Sequence, residues 1–166
     1  MPTHISLRDG VFGLAEDPFT TVSDDWAIPQ GDVIVSLTRF DSEGDRLLAE
    51  GRKVGVRLEA GEDVEALTYD LPRISVVALV FPKFGDGRAY SYARLLRDRY
   101  GFKGEIRAVG DVLREQAGFM VRCGFDTFEP ADGSTPEVWA QAAQRFRHVY
   151  QRGSDVRTPA FAERQP

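Results

Sequence analysis

ISVVALVF (Ile74–Phe81) is apolar at every position but one and rich in β-branched side chains. A run of this length is too short for a buried helix. Without alternation, it reads as a central strand covered on both faces, the signature of parallel sheets. Partners are therefore expected at crossover spacing, and they occur. Val54–Leu58 (VGVRL) precedes it, and Glu105–Val109 (EIRAV) and Phe125–Phe128 follow it. Strands thus begin near residues 54, 74, 105 and 125, each followed by helical sequence. That alternation implies parallel pairing through right-handed crossovers.

The helices between these strands carry their own punctuation. Ala89, Tyr92, Ala93, Leu96 and Tyr100 fall at helical spacing, with Gly101 placed as a cap. Asp111 can cap a helix whose inner face is Leu113, Ala117, Met120 and Val121 and which stops at Gly124. Thr135-Pro136-Glu137 is a helix start, and Trp139, Ala142, Ala143, Phe146 and Tyr150 line one face beyond it. Upstream, Asp32–Phe40 reads as a strand and Arg46–Glu50 as a short helix confined by Gly44 and Gly51. His4–Gly13 alternates about Asp9-Gly10, the pattern of a β-hairpin, and Ala15–Gln30 is irregular sequence pinned by Phe19 and Trp26.

The expectation is an α/β fold. Four to five strands in a mostly parallel sheet alternate with helices, flavodoxin-like or as an incomplete TIM barrel, and a short N-terminal hairpin precedes the sheet. One domain spans residues 1–152, and 153–166 forms a flexible polar tail.

The protein's 166 residues carry a net charge of −5, unevenly spread. Phe81–Glu129 holds nine basic and seven acidic residues, whereas the remainder holds twelve and nineteen. An acidic chain with one locally basic segment argues against nucleic-acid binding and for a small anionic ligand. No apolar run is long enough to span a membrane. The N-terminal residues lack the layout of a signal peptide, and a single cysteine suits a reducing, cytoplasmic setting.

In parallel α/β folds, ligands gather beyond the C-terminal strand ends, where helix N-termini point. The loop after Phe81 delivers Lys83, Asp86, Gly87, Arg88 and Ser91 there, and the loop after Val109 delivers Asp111. Lys83, Gly87, Arg88, Ser91 and Arg107 are the expected substrate-binding residues, with Asp86 and Asp111 as acid/base candidates. Asp86 and Asp111 as plain caps, with Arg88 paired to a carboxylate, is the structural alternative. Arg107 inside a short strand needs a carboxylate or an anionic ligand. The arginines from Arg94 to Arg99 read mostly as the solvated face of a helix. Cys123 closes a helix about 18 Å from its start and suits packing rather than redox chemistry. His4 and His148 stand alone, so neither a metal nor a cofactor is expected, and no dinucleotide, P-loop or iron–sulfur motif is present.

The blocks FPKFGDGR (81–88), YSYARLLRDRYG (90–101), GEIRAVGDVL (104–113) and RCGFDTFE (122–129) resemble the bacterial family known as domain of unknown function 934. The likeness extends more loosely to Asp25-Trp26 and to GRKVGVRL (51–58). Where the family pattern often has Asp-Gln, this chain has Glu115-Gln116. Members are described as "probable oxidoreductases" involved in sulfite reduction. The resemblance therefore implies a cytoplasmic accessory protein that binds sulfite or a similar oxyanion, or docks on a sulfite reductase, with electrons carried by something else. A stand-alone enzyme built on Asp86, Asp111, Arg88 and Arg107 is one alternative. A homodimeric scaffold using an exposed sheet edge is another.

Overall fold

The computed structural model describes residues 2–164. Its centre is one eight-stranded sheet, ordered β2-β1-β8-β7-β6-β5-β4-β3. The strands are β1 (Ile5–Arg8), β2 (Val11–Leu14), β3 (Phe19–Thr21), β4 (Asp32–Ser36), β5 (Val54–Leu58), β6 (Val76–Phe81), β7 (Glu105–Gly110) and β8 (Thr127–Phe128). Strands β3 to β8 are parallel, whereas β1 is antiparallel to both β2 and β8.

This corrects the expected four to five strands. The hairpin does not precede the sheet but forms its edge, with Ile5 paired to Phe128 and Ser6 to Thr127. The segment expected to be irregular contributes β3, whose Phe19 pairs with Asp32. A three-residue strand has too few positions to show alternation, which is why β3 left no readable pattern.

Five helices accompany the sheet: α1 (Leu37–Ala49), α2 (Arg88–Arg94), α3 (Ala117–Cys123), α4 (Pro136–Ala143) and α5 (Ala160–Glu163). The strand expected to reach Phe40 stops at Ser36, which caps α1 by accepting from the Arg39 N–H at 3.1 Å. Helix α1 then runs through Gly44 because the Phe40 ring lies against it; a Cβ there would meet that ring at 2.8 Å. Helix α4 ends at Ala143, so Phe146 and Tyr150 are exposed rather than part of its face. From Gly153 the chain turns back on α3. The Ser154 N–H donates to the Arg122 carbonyl at 2.8 Å, and Arg122 pairs with Asp155 at 2.7 Å.

The two faces of the sheet differ sharply. One packs against α1 to α4 through Val33, Val35, Val56, Val77, Leu79, Phe81, Ile106 and Phe128. The other carries only a small apolar group, Ile34, Val76, Ala78, Val80 and Val109 with Phe19 over it. The sheet curls about this second face into a half-barrel.

The connection from β2 to β3 explains the curl. These strands are opposite edges of the sheet. Seven flat intervals would separate them by about 34 Å, at roughly 4.8 Å per strand spacing. Ala15–Pro18, the four residues between them, can bridge no more than about 17 Å fully extended. A flat sheet is therefore impossible, and the short segment lies as a strap across the concave face. Among the described residues, no helix is long and apolar enough to cross a membrane.

Candidate functional site

Under the strap lies Arg107, the central feature of the concave face. Strand β7 alternates Ile106 and Ala108 toward the helices, so Glu105, Arg107 and Val109 point inward. Arg107 is fully buried. Its Nε donates to Glu105 at 2.8 Å. Its two terminal nitrogens reach both oxygens of Asp17, at 2.7 and 3.0 Å, and Glu129 at 3.3 Å. Its guanidinium also lies 5.9 Å from the Phe19 ring. Three carboxylates thus surround one cation. Thr127 adds a hydrogen bond to Glu105 at 2.5 Å.

The strap orders this cage. Asp17 accepts from the Phe19 N–H at 3.1 Å while gripping Arg107. The His4 carbonyl accepts from the Ala15 N–H at 3.0 Å, which continues the hairpin ladder into the strap. His4 is buried and its Nδ1 has no hydrogen-bond partner. His4, Asp17 and Glu129 bring one potential ligand atom each to within 4.8 Å of one another.

Burial and charge push these groups apart. Burial, with Arg107 nearby, lowers the His4 pKa and keeps the imidazole neutral. Burial raises Asp17, but hydrogen bonds from Arg107 and Phe19 outweigh it and hold the carboxyl below its usual range. Burial raises Glu129, and Arg107 offsets that only in part.

The strap divides the concavity. On the side of the strand C-termini is a pocket of about 800 Å³ whose walls include His4, Asp17, Thr21, Arg57, Ala78 and Glu129. Toward the N-terminal ends a smaller space of about 280 Å³ reaches Lys53, Glu105 and Thr127. Arg57, Ala78 and Arg107 share one cross-strand row, so the small Ala78 separates two arginines. Arg57 differs from Arg107: it is partly exposed and pairs with Glu59 at 2.8 Å.

The residues expected to form one anion pocket are divided between two places. Arg107 lies in the cage, about three residues, or roughly 10 Å, along β7 from the rim turn at Gly110. Asp86 and Arg88 sit on the rim and hold each other, with Arg88 Nε at 3.0 Å and a terminal nitrogen at 2.5 Å from the carboxylate. Asp86 also accepts from the Arg88 N–H at 3.1 Å, and the Arg88 side chain lowers its pKa to about 2. Asp111 accepts from the Phe84 N–H at 2.7 Å, and Gln116 donates to the Phe84 carbonyl at 3.1 Å. These two side chains bind both polar groups of one loop residue and fix the rim. Lys83, Gly87 and Ser91 are exposed there.

Neither Asp86 nor Asp111 lines the concave pocket. Cys123, at the end of α3, is buried, and burial pushes its thiol up to about 11. Arg97 departs from the expected solvated face, donating to the carbonyls of Gly124, Phe102 and Gly104 and pairing with Asp126.

A family model matches residues 55–161, described as a bacterial protein of unknown function (DUF934). The chain belongs to the DUF934 family. No curated protein matches the chain. The DUF934 match spans Arg57, Glu105, Arg107 and Glu129, whereas His4 and Asp17 precede it. The site is therefore assembled from both sides of that boundary.

Of the residues gathered here, Arg107 is marked in the sequence, whereas His4, Asp17, Glu105 and Arg57 are not among the expected site residues. One signal was present: Glu105 and Arg107 are two apart in a strand and must share a face.

Proposed function

We propose that this DUF934 protein is a cytoplasmic accessory protein of assimilatory sulfite reduction. It binds sulfite or a similar small oxyanion in the concave pocket, or docks on the reductase through the same half-barrel. The family resemblance supports the sulfite context. The single observation that carries the site is the pocket of about 800 Å³ placed at the C-terminal side of a parallel sheet, where such folds bind ligands.

Arg57 is the anion-facing residue in this reading, because the Arg107 donors are already engaged by three carboxylates. Arg88, half exposed and paired to Asp86 on the rim, does not line this pocket.

Calorimetric titration of the full chain with sulfite, sulfate and phosphate tests the reading. Arg57→Ala is expected to weaken the binding about tenfold or more, the scale of one charge-assisted contact. Arg88→Ala is expected to leave it unchanged. No heat with any of the three anions sinks the oxyanion version. The docking version fails if the protein leaves the turnover rate of a purified sulfite reductase unaltered.

A further inference from the structure

We infer that His4, Asp17 and Glu129 form a binding site for one divalent cation of the Mn²⁺ to Zn²⁺ range, with open coordination positions facing the concave pocket. The inference is independent of which ligand the pocket takes.

Two separate observations carry it. First, three ligand atoms of suitable chemistry, an imidazole nitrogen and two carboxylate oxygens, lie within 4.8 Å of one another. They arrive from three remote segments: the residue before β1, the strap, and the residue after β8. A divalent ion about 2.0–2.3 Å from each ligand would draw them together by small side-chain movements. One nitrogen and two oxygens suit Mn²⁺, Fe²⁺ or Zn²⁺ better than an all-oxygen cation such as Ca²⁺. Three protein ligands also leave room for water or substrate, the arrangement of catalytic rather than structural centres.

Second, His4 is a polar side chain with only 8% of its surface accessible, it lines the pocket, and its buried Nδ1 has no partner. A buried, unpartnered ring nitrogen is costly unless something meets it. Among the described residues, no other buried side-chain polar atom of the cage lacks a hydrogen-bond partner.

Charge points the same way. Asp17, Glu105 and Glu129 bring three negative charges to the single guanidinium of Arg107. That leaves an excess of two, the charge of one divalent ion. The arginine does not block coordination. Each carboxylate oxygen has two lone-pair sites, and Glu129 uses one oxygen for Arg107, leaving the other. Arg107 then acts as the outer partner that orients two ligand carboxylates, as such partners do at metal centres.

The experiment uses the untagged full chain, stripped with chelator and titrated with Mn²⁺ or Zn²⁺ alone. The chain has two histidines, so the imidazole region of its NMR spectrum holds two ring systems. Mn²⁺ is expected to broaden the His4 resonances at one equivalent and to leave His148 sharp, without any mutation. Calorimetry with Zn²⁺ is expected to give one site, weakened about tenfold or more in both His4→Ala and Glu129→Gln, the scale at which even outer partners matter. His148→Ala, which removes the other histidine–carboxylate contact at 2.7 Å to Glu163, is expected to leave binding unchanged. Absence of binding below millimolar metal overturns the site. So does equal broadening of both histidines, or Zn²⁺ affinity indifferent to His4→Ala in a folded variant.

Discussion

Arg107 is the residue on which the interior most depends. Removing one partner of a buried ionic group strands the others, at a cost of roughly 3–5 kcal/mol. Arg107→Met leaves three facing carboxylates, so urea denaturation is expected to show a loss of about that size. Adding Asp17→Asn to Arg107→Met is expected to recover part of it.

His4 gives a test by pH. Its folded pKa lies below 6.5, so between those values the unfolded chain binds the extra proton and stability falls as pH drops. In chelator, His4→Gln is therefore expected to lose less stability than the parent between pH 7.5 and 5.5. Glu129 opposes this trend. Its raised pKa disfavours the folded state above the normal carboxyl range and ceases to do so as pH falls through it.

At this scale the sequence was legible only in part. An arginine inside a buried strand announced that it needed a carboxylate or an anionic ligand, and three carboxylates surround it. Asp17 was hidden among them because it lies 90 positions away in the chain.

Among the elements, the rim turn after β7 is the most constrained. Gly110 has φ +95°, and a Cβ there would come within 2.4 Å of the Phe81 carbonyl oxygen. Gly110→Ala combines backbone strain with a backbone clash. It is expected to cost about 2 kcal/mol or more in denaturant unfolding. Ser36→Ala, which removes only the cap of α1, is expected to cost about 1 kcal/mol.

The long apolar strand β6 was readable because burial on both faces leaves no room for polar residues. β3 and α1 were not. A three-residue edge strand has no period, and Gly44 argues against a helix until the Phe40 ring is seen filling its place. Helix α4 is shorter than its apolar spacing implies, for the opposite reason. Phe146 and Tyr150 continue its apolar spacing, yet they are exposed beyond its end.

For the whole molecule, the boundary of the family match makes a sharp prediction. Residues 55–161 alone would lack β4, whose Val33, Ile34 and Val35 are all buried, and would lose Asp17 from the cage. That fragment is expected to show no cooperative thermal transition by circular dichroism, whereas the full chain unfolds in one. The sheet exceeds the expected four to five strands, and only the crossover spacing of β5 to β8 was visible in the sequence. The edge position of the hairpin was not, because antiparallel pairing between Ile5 and Phe128 leaves no local trace.

That pairing has a consequence for biosynthesis. The hairpin is made before the other strands of the sheet, yet β8, its partner, is made after them. Until then β1 has only β2 beside it, and a lone hairpin is marginal in water. The strap cannot settle on Arg107 before β7 exists. The cage is therefore a late event in assembly of the sheet, joining the strap to the strands made after it. A cation held by His4, Asp17 and Glu129 would close that seam and slow its reopening, so metal supply would set the lifetime of the finished protein as well as its ligand chemistry.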